Sequence, residues 1–172
     1  MADLQEDIII LHNESSTPYP DTDRLRHDPR MARLLFRAYY DELTAISTYT
    51  YNGIILFDPC PTVAALFESL STTEMRHFRL LGESIRHLGG NPSIRTDLRI
   101  TSFEPCADAA HSHAEQVCRQ MVRNAICAEQ TSAWEYRALA GKTRDEQLKQ
   151  ILCRLAADED EHARMLQQLS GC

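Results

Sequence analysis

Six residues that could bind metal ions recur in a regular pattern along the chain. Glu74 and Glu159 are each followed three residues later by a histidine, and each pair is preceded by a further glutamate one helical segment earlier. Residues three apart lie on the same face of an α-helix, so each pair would present a carboxylate and an imidazole side by side. The six residues are Glu42, Glu74, His77, Glu129, Glu159 and His162.

The four glutamates stand at positions where helical periodicity calls for an apolar side chain. Around Glu42, the same helical face carries Leu35, Ala38, Ala45 and Tyr49, and the other glutamates have similar neighbours. Four unpaired carboxylates inside a protein would be costly to bury and would take up protons. The pattern therefore predicts that two divalent cations offset the charge. The alternative is that the helix faces are misassigned and the glutamates lie on the surface.

The ligand types favour particular metals. Hard carboxylate oxygens with one neutral imidazole per ion suit iron or manganese, and zinc or cobalt could take their place. Carboxylates can also bridge two ions about 3.5–4 Å apart. We therefore expect two iron ions, with manganese as an alternative and zinc as a substitute.

Three stripes of apolar residues predict the first three helices that would position these ligands. Asp28 and Pro29 form a favourable helix start, and apolar residues then recur at helical spacing to about Leu56. Further stripes of helical period cover about residues 63–88 and about residues 118–140.

A fourth helix and an N-terminal arm complete the predicted organisation. Thr143 and Glu146 have the spacing of a capping box, and the helix that follows is predicted to run almost to the C-terminus. Residues 1–27 show no helical period and are predicted to form an extended arm. The predicted division is therefore an arm over residues 1–27 and a helical bundle over residues 28–172.

The connections between the helices predict an all-α fold. Two short links make antiparallel hairpins of the first and second helices and of the third and fourth. The segment over about residues 91–106 has no helical period and is long enough to span a bundle. Glu42 and Glu74 are equally far in sequence from the first link, and the other two glutamates are equally far from the second. We expect a four-helix bundle with one long crossover, in which the six side chains meet at one level.

Composition excludes several classes of function. The 172 residues include 18 Lys and Arg against 25 Asp and Glu, a net charge of −7, which argues against binding to nucleic acid or anionic membranes. No stretch has the length and apolar character of a membrane span, and the N-terminus is acidic where a secretory signal would be basic. The six cysteines include no Cys-x-x-Cys pair, so we expect a reduced, cytoplasmic location.

With this ligand set, the chain resembles the bacterioferritin and rubrerythrin-like di-metal carboxylate proteins of the ferritin-like superfamily. Their pattern is one Glu, a Glu-x-x-His, one Glu and a second Glu-x-x-His, and the match covers about residues 29–169. The stretches 74–82 and 88–92 are also similar to small rubrerythrin-like bacterial proteins. The resemblance implies a ferritin-like four-helix bundle and a non-haem di-iron or di-manganese oxidoreductase that reduces peroxide or dioxygen. The alternatives are a ferroxidase of bacterioferritin type and a metal-stabilised bundle without catalysis.

The resemblance also implies how the ligands are shared. In the bacterioferritin-like arrangement, Glu74 and Glu159 would bridge the two ions. The remaining ligands would be terminal, with Glu42 and His77 on one ion and Glu129 and His162 on the other.

The residue before each Glu-x-x-His pair is a candidate support for a histidine. Asp158 directly precedes Glu159, and the resemblance implies that it pairs with His77 of the other hairpin; a solvated acid is the alternative. Such a carboxylate would fix the tautomer of the ligand and raise its basicity. Thr73 holds the equivalent position in the second helix and would offer His162 a weaker hydroxyl partner, unless a water does so.

Two tyrosines lie on the same helical faces as the ligands. Tyr49 and Tyr136 each follow a glutamate by seven residues, two helical turns along the same face. They could donate hydrogen bonds to the ligands or relay electrons. Ordinary core tyrosines are the alternative.

The chain departs from its relatives in two ways. Rubrerythrins proper carry a rubredoxin domain with paired Cys-x-x-Cys motifs, and this chain has none, so an external electron donor is expected. The chain ends at Gly171-Cys172, just after the fourth helix, whereas ferritin cages commonly use a fifth helix, so a 24-subunit store is not expected. Trp134 and the arm leave apolar surface to cover, which predicts a homodimer.

Overall fold

The computed structural model describes residues 13–94 and 113–169. Over this part of the chain it contains four α-helices and no strand, which confirms the all-α four-helix bundle. The helices are α1 (Pro29–Leu56), α2 (Pro61–His87), α3 (Ala114–Ala140) and α4 (Glu146–Leu169). No helix in the described ranges is long and apolar enough to cross a membrane.

The helices pack as two hairpins. α1 packs closely on α2, and α3 packs closely on α4, whereas the contacts of α1 with α3 and of α2 with α4 are much sparser. The expected crossover between α2 and α3 falls mostly on residues 95–112, which lie outside the described residues. The sparse packing between hairpins leaves room between α1 and α3.

Local sequence determines the ends of the first hairpin. At the start of α1, Asp28 Oδ1 accepts hydrogen bonds from the backbone N–H groups of Arg30 (3.1 Å) and Met31 (3.0 Å), which the first helical turn cannot otherwise satisfy. Beyond α2, Gly89 has a φ of +92°, a conformation that glycine adopts without strain. The N–H of Gly90 then donates to the carbonyl of Ile85 (2.8 Å) and closes the helix end.

The predicted capping box of Thr143 and Glu146 is wrong. Asp145 caps α4, because its Oδ1 accepts hydrogen bonds from the N–H groups of Gln147 (3.0 Å) and Leu148 (3.1 Å). Glu146 is the first helical residue, too early to reach back to the cap, and Thr143 instead accepts a hydrogen bond from Asp145 N–H (3.1 Å). A carboxylate directly before the helix is favoured there by the helix dipole.

The apolar core consists of two clusters, one toward each end of the bundle. One cluster includes Leu35, Leu81 and Leu152, and the other includes Phe67 and Leu166, all with 0% exposure. In every helix, the residues of the predicted metal site lie between the two clusters in sequence. The site is therefore a polar layer between two apolar ones.

The described part of the arm lies on the bundle. Leu25 joins the apolar cluster of Leu35, and the N–H of Arg26 donates to Asp145 Oδ2 (2.9 Å). Gln147 in turn donates to the carbonyl of Asp21. The proposed division of the chain at residues 27 and 28 stays a prediction, as does the homodimer that would cover the 67% exposed Trp134.

Replacing the first cap tests its contribution to stability. Asp28→Ala should lower the free energy of unfolding by about 1 kcal/mol, since two N–H groups lose their acceptor. Asp58→Ala, at an exposed acid in the α1–α2 link, should change it by less than about 0.5 kcal/mol. Urea denaturation followed by circular dichroism measures both changes, and equal effects of the two substitutions would contradict the capping role.

Candidate metal centre

All six candidate ligands meet at one level of the bundle, with every side chain buried. They form two groups of four residues whose oxygen and nitrogen atoms lie within 4.8 Å of one another. Both groups contain Glu74 and Glu159. The first group is Glu42, Glu74, His77 and Glu159, and the second is Glu74, Glu129, Glu159 and His162.

Each imidazole turns the same nitrogen toward three carboxylates. His77 Nδ1 lies 2.8 Å from Glu74 Oε2, 3.2 Å from Glu159 Oε1 and 3.9 Å from Glu42 Oε2. His162 Nδ1 lies 3.0 Å from Glu159 Oε2, 3.1 Å from Glu74 Oε1 and 3.4 Å from Glu129 Oε2. The two imidazole rings stack with their centroids 5.8 Å apart. The donor atoms therefore converge on two adjacent points.

The hydrogen bonding of these atoms fits a cation in the second group. Three buried atoms have no hydrogen-bond partner among the described residues, namely Glu74 Oε1, Glu159 Oε2 and His162 Nδ1, although buried polar atoms nearly always have one. They lie close together without the geometry of a hydrogen bond. A divalent cation would satisfy such atoms, and the carboxylate and imidazole donors suit iron, manganese or zinc.

Without a cation, protons balance the charge of this layer. Burial, together with the charges of Glu74 and Glu159, raises the pKa of Glu42 well above its ordinary value and that of Glu129 to about 8. Burial alone would also raise the pKa of Glu74, but the facing imidazoles lower it, and they lower the pKa of Glu159 too.

The pKa values of the two histidines are raised by the facing carboxylates in spite of burial. Burial disfavours the imidazolium, yet Glu159 and Glu74 raise the pKa of His77 well above its ordinary value. For His162, Glu74 and Glu129 do the same. The metal-free layer thus stores protons that metal binding would displace.

The two tyrosines connect the hairpins. Tyr49 of α1 donates a hydrogen bond to Glu129 of α3, and Tyr136 of α3 donates to Glu42 of α1. Each hydroxyl therefore holds the glutamate of the opposite hairpin rather than the one on its own helix. A role in relaying electrons stays a prediction.

Asp158 is completely buried and contacts the outer nitrogen of a candidate ligand. Its Oδ2 lies 3.0 Å from His77 Nε2, the contact that the resemblance implied. Burial by itself would raise the pKa of Asp158, but hydrogen bonds from His77, Arg154 and Tyr19 lower it to about 2. Sequence reasoning missed Tyr19 and Arg154; the only signal was the spacing of four residues between Arg154 and Asp158.

The expected contact between Thr73 and His162 is wrong. The hydroxyl of Thr73 donates instead to Oδ1 of Asn13 in the arm (3.1 Å). His162 Nε2 is buried, and no residue within 13–94 or 113–169 forms a hydrogen bond with it. The arm, whose position the sequence did not predict, provides the better acceptor for this hydroxyl.

A cavity of about 420 Å³ opens between α1 and α3 and reaches the polar layer. Glu42, Glu74, Glu129 and Glu159 line its inner end. The rest of its wall includes small hydroxyl side chains and several charged ones. Among these residues are Thr44, Thr48, Thr131, Ser132, Arg37, Asp41 and Glu135. Small polar molecules can therefore reach the carboxylates from this side.

The metal-free protein should be more stable at pH 5.5 than at pH 8.5. A group whose pKa is raised by folding contributes fully to the stability of the folded state at pH values below its unfolded pKa. That unfolded pKa is near 4.5 for Glu129 and 6.5 for His77. That stabilisation is lost as the pH rises through the native pKa, about 8 for Glu129. Glu74 and Glu159 act oppositely, and their contribution is lost only as the pH falls below 4.5 through their lowered native pKa.

Thermal melts in chelator at the two pH values measure this difference. Glu129→Gln should flatten the pH dependence, whereas Glu68→Gln, at an exposed glutamate of α2 outside the cavity, should leave it unchanged. In metal-loaded protein the trend should reverse, because protons compete with the metal for its ligands. Parallel profiles with and without metal would mean that these residues do not share a metal site.

Comparison with known proteins agrees with this geometry. A family model described as Rubrerythrin matches residues 33–170, which include all six candidate ligands. Neither the curated proteins nor the solved structures gave a significant match. Because the family match spans most of the chain, we conclude that the chain belongs to the rubrerythrin family of di-metal carboxylate proteins.

Proposed function

We propose that this protein binds two iron ions, or two manganese ions, and reduces hydrogen peroxide to water, with dioxygen as a second possible oxidant. The observation that carries the proposal is the pair of overlapping ligand groups that share Glu74 and Glu159 at the inner end of a cavity. When bound and reduced, two such ions would supply the two electrons that peroxide reduction requires and would act as Lewis acids.

The geometry supports one distribution of ligands. Glu74 and Glu159 belong to both groups, and each places one oxygen near each imidazole, so they would bridge the ions. The other four residues belong to one group each and would be terminal. Glu42 and His77 would bind one ion, and Glu129 and His162 the other.

The surrounding residues position the ligands and limit access. Tyr49 and Tyr136 hold the terminal carboxylates toward the cavity side. The two apolar clusters exclude water above and below the layer, and Asp158 with the arm covers His77. Peroxide would therefore enter between α1 and α3.

The proposed reaction consumes one peroxide, two protons and two electrons and releases two water molecules. The hydroxyls of Tyr49 and Tyr136 lie at the cavity and against carboxylates, where they can hold a proton close to the reacting oxygen atoms. An external electron donor would restore the reduced state after each turnover.

Metal content tests the ligand assignment. Glu74→Ala and Glu159→Ala should each lose at least one metal ion per chain, because both residues belong to both groups. Glu68→Ala removes an exposed glutamate of α2 and should retain two ions. Elemental analysis of protein purified without chelators measures the content, and full occupancy in both site variants would show that the site is misplaced.

An anaerobic peroxide titration of the reduced, iron-loaded protein tests the reaction. We expect an end point of one peroxide per two irons, seen as the absorbance of oxidised iron, and continued peroxide consumption when a reductant is supplied. Retention of thousands of irons per assembly after aerobic iron addition would indicate a ferroxidase or store instead. Bound metal without metal-dependent peroxide consumption would indicate a purely structural centre.

A further inference from the structure

We infer that the N-terminal arm makes the two metal positions unequal, so that the position of His77 binds its ion more tightly and fills first. The inference rests on the proposed di-metal function and concerns residues outside the six ligands. Ser15, Tyr19 and Arg154 act as positioning residues, because they touch Asp158 and not the metal ligands' donor atoms.

Asp158 receives hydrogen bonds from three parts of the chain. Its Oδ1 accepts from the backbone N–H of Ser15 (2.5 Å). Its Oδ2 accepts from the hydroxyl of Tyr19 (2.7 Å) and lies 3.0 Å from His77 Nε2. Arg154, one helical turn earlier on α4, forms an ion pair with the same carboxylate. The carboxylate is therefore held in one orientation, with an oxygen directed at the outer nitrogen of His77.

Arg154 also holds the arm in place. Its guanidinium donates to the carbonyl of Thr17 and, over 2.9 Å, to that of Ser15. The same group lies 4.1 Å from the centre of the Tyr19 ring, a stacking that favours a cation over an aromatic face. Tyr19 in turn packs edge-on against His77, with ring centroids 6.2 Å apart. The arm, α4 and the ligand thus form one connected unit.

In the part of the chain that the structure describes, the second position has no equivalent support. There His162 Nε2 is buried without a hydrogen-bond partner, and the hydroxyl of Thr73 is directed to Asn13. The two halves of the site present matching ligands toward the centre but differ behind the imidazoles.

This difference affects metal affinity. A carboxylate behind an imidazole keeps the proton on the outer nitrogen and leaves the lone pair of the inner nitrogen free for the metal. It also makes the inner nitrogen more basic. Removing such a carboxylate typically lowers the metal affinity by about 10–100-fold. His77 has this partner in Asp158, and no described carboxylate takes that place behind His162. We therefore expect the first ion to bind at least about tenfold more tightly than the second.

Anaerobic titration of the full-length, metal-free protein with Co²⁺ tests the inference. Calorimetry and the visible absorption of cobalt should resolve two binding steps in the wild type. His162→Ala should retain the tight step and its absorption band, whereas His77→Ala should lose them. These two variants assign the steps to the two positions.

Two milder substitutions test the support behind His77, one in α4 and one in the arm. Asp158→Asn should weaken the tight step about 10–100-fold. Tyr19→Phe removes only a hydroxyl and should weaken the tight step about 2–10-fold. Both should leave the weak step unchanged. Tyr51→Phe removes an exposed hydroxyl of α1 and should leave both steps unchanged. Thermal melts establish that each variant folds.

The outcomes separate this inference from the proposed function. Two equal binding steps in the wild type would overturn the inference and leave the di-metal function standing. A change in the weak step, or in both steps equally, on Asp158→Asn and Tyr19→Phe would also overturn it. A folded wild type that binds fewer than two ions would overturn the proposed function together with the inference.

Discussion

The charge balance of the buried layer is the constraint on which the rest of the structure depends. Four carboxylates and two imidazoles lie in the middle of the bundle, where an uncompensated charge is costly. In the metal-free layer, the pKa values of Glu42 and Glu129 are raised, so these two carboxylates take up protons. The pKa values of Glu74 and Glu159 are lowered, so these two stay ionised against the histidines. Two cations would balance the same layer without those protons. The chemistry of the site and the stability of the bundle are therefore linked through one set of residues.

The helices pack tightly above and below the buried layer and leave a cavity at one side of it. Apolar clusters on both sides hold the helices together, so the polar layer does not have to stabilise the fold by itself. The hairpins contact each other sparsely, and between α1 and α3 the cavity reaches the carboxylates. Tyr49 and Tyr136 cross between α1 and α3 and hold the terminal glutamates. A gap that would weaken an ordinary core here gives small molecules a route to the site.

The contacts of the arm make the surroundings of the two histidines different. Contacts of residues 13–19 with α2 and α4 place backbone and side-chain donors behind His77. The outer nitrogen of His162 has no partner among the described residues. The resulting asymmetry does not come from the ligands, whose pattern is nearly the same in both hairpins. It comes from a segment without helical structure that binds to one side of the bundle.

The residue pattern alone was enough to predict the six candidate ligands, the four helices and the level at which the six side chains meet. Helical periodicity relates residues three and four apart, and equal distances from a short link imply equal height, so these features depend on local geometry. The contact of Asp158 with His77 followed only with help from the family resemblance. Tertiary structure alone decided which hairpin each tyrosine contacts, where the cavity opens, which acceptor Thr73 finds and where the arm lies. These contacts join residues 60 to 143 positions apart, and they depend on how side chains pack between elements, which no local period specifies.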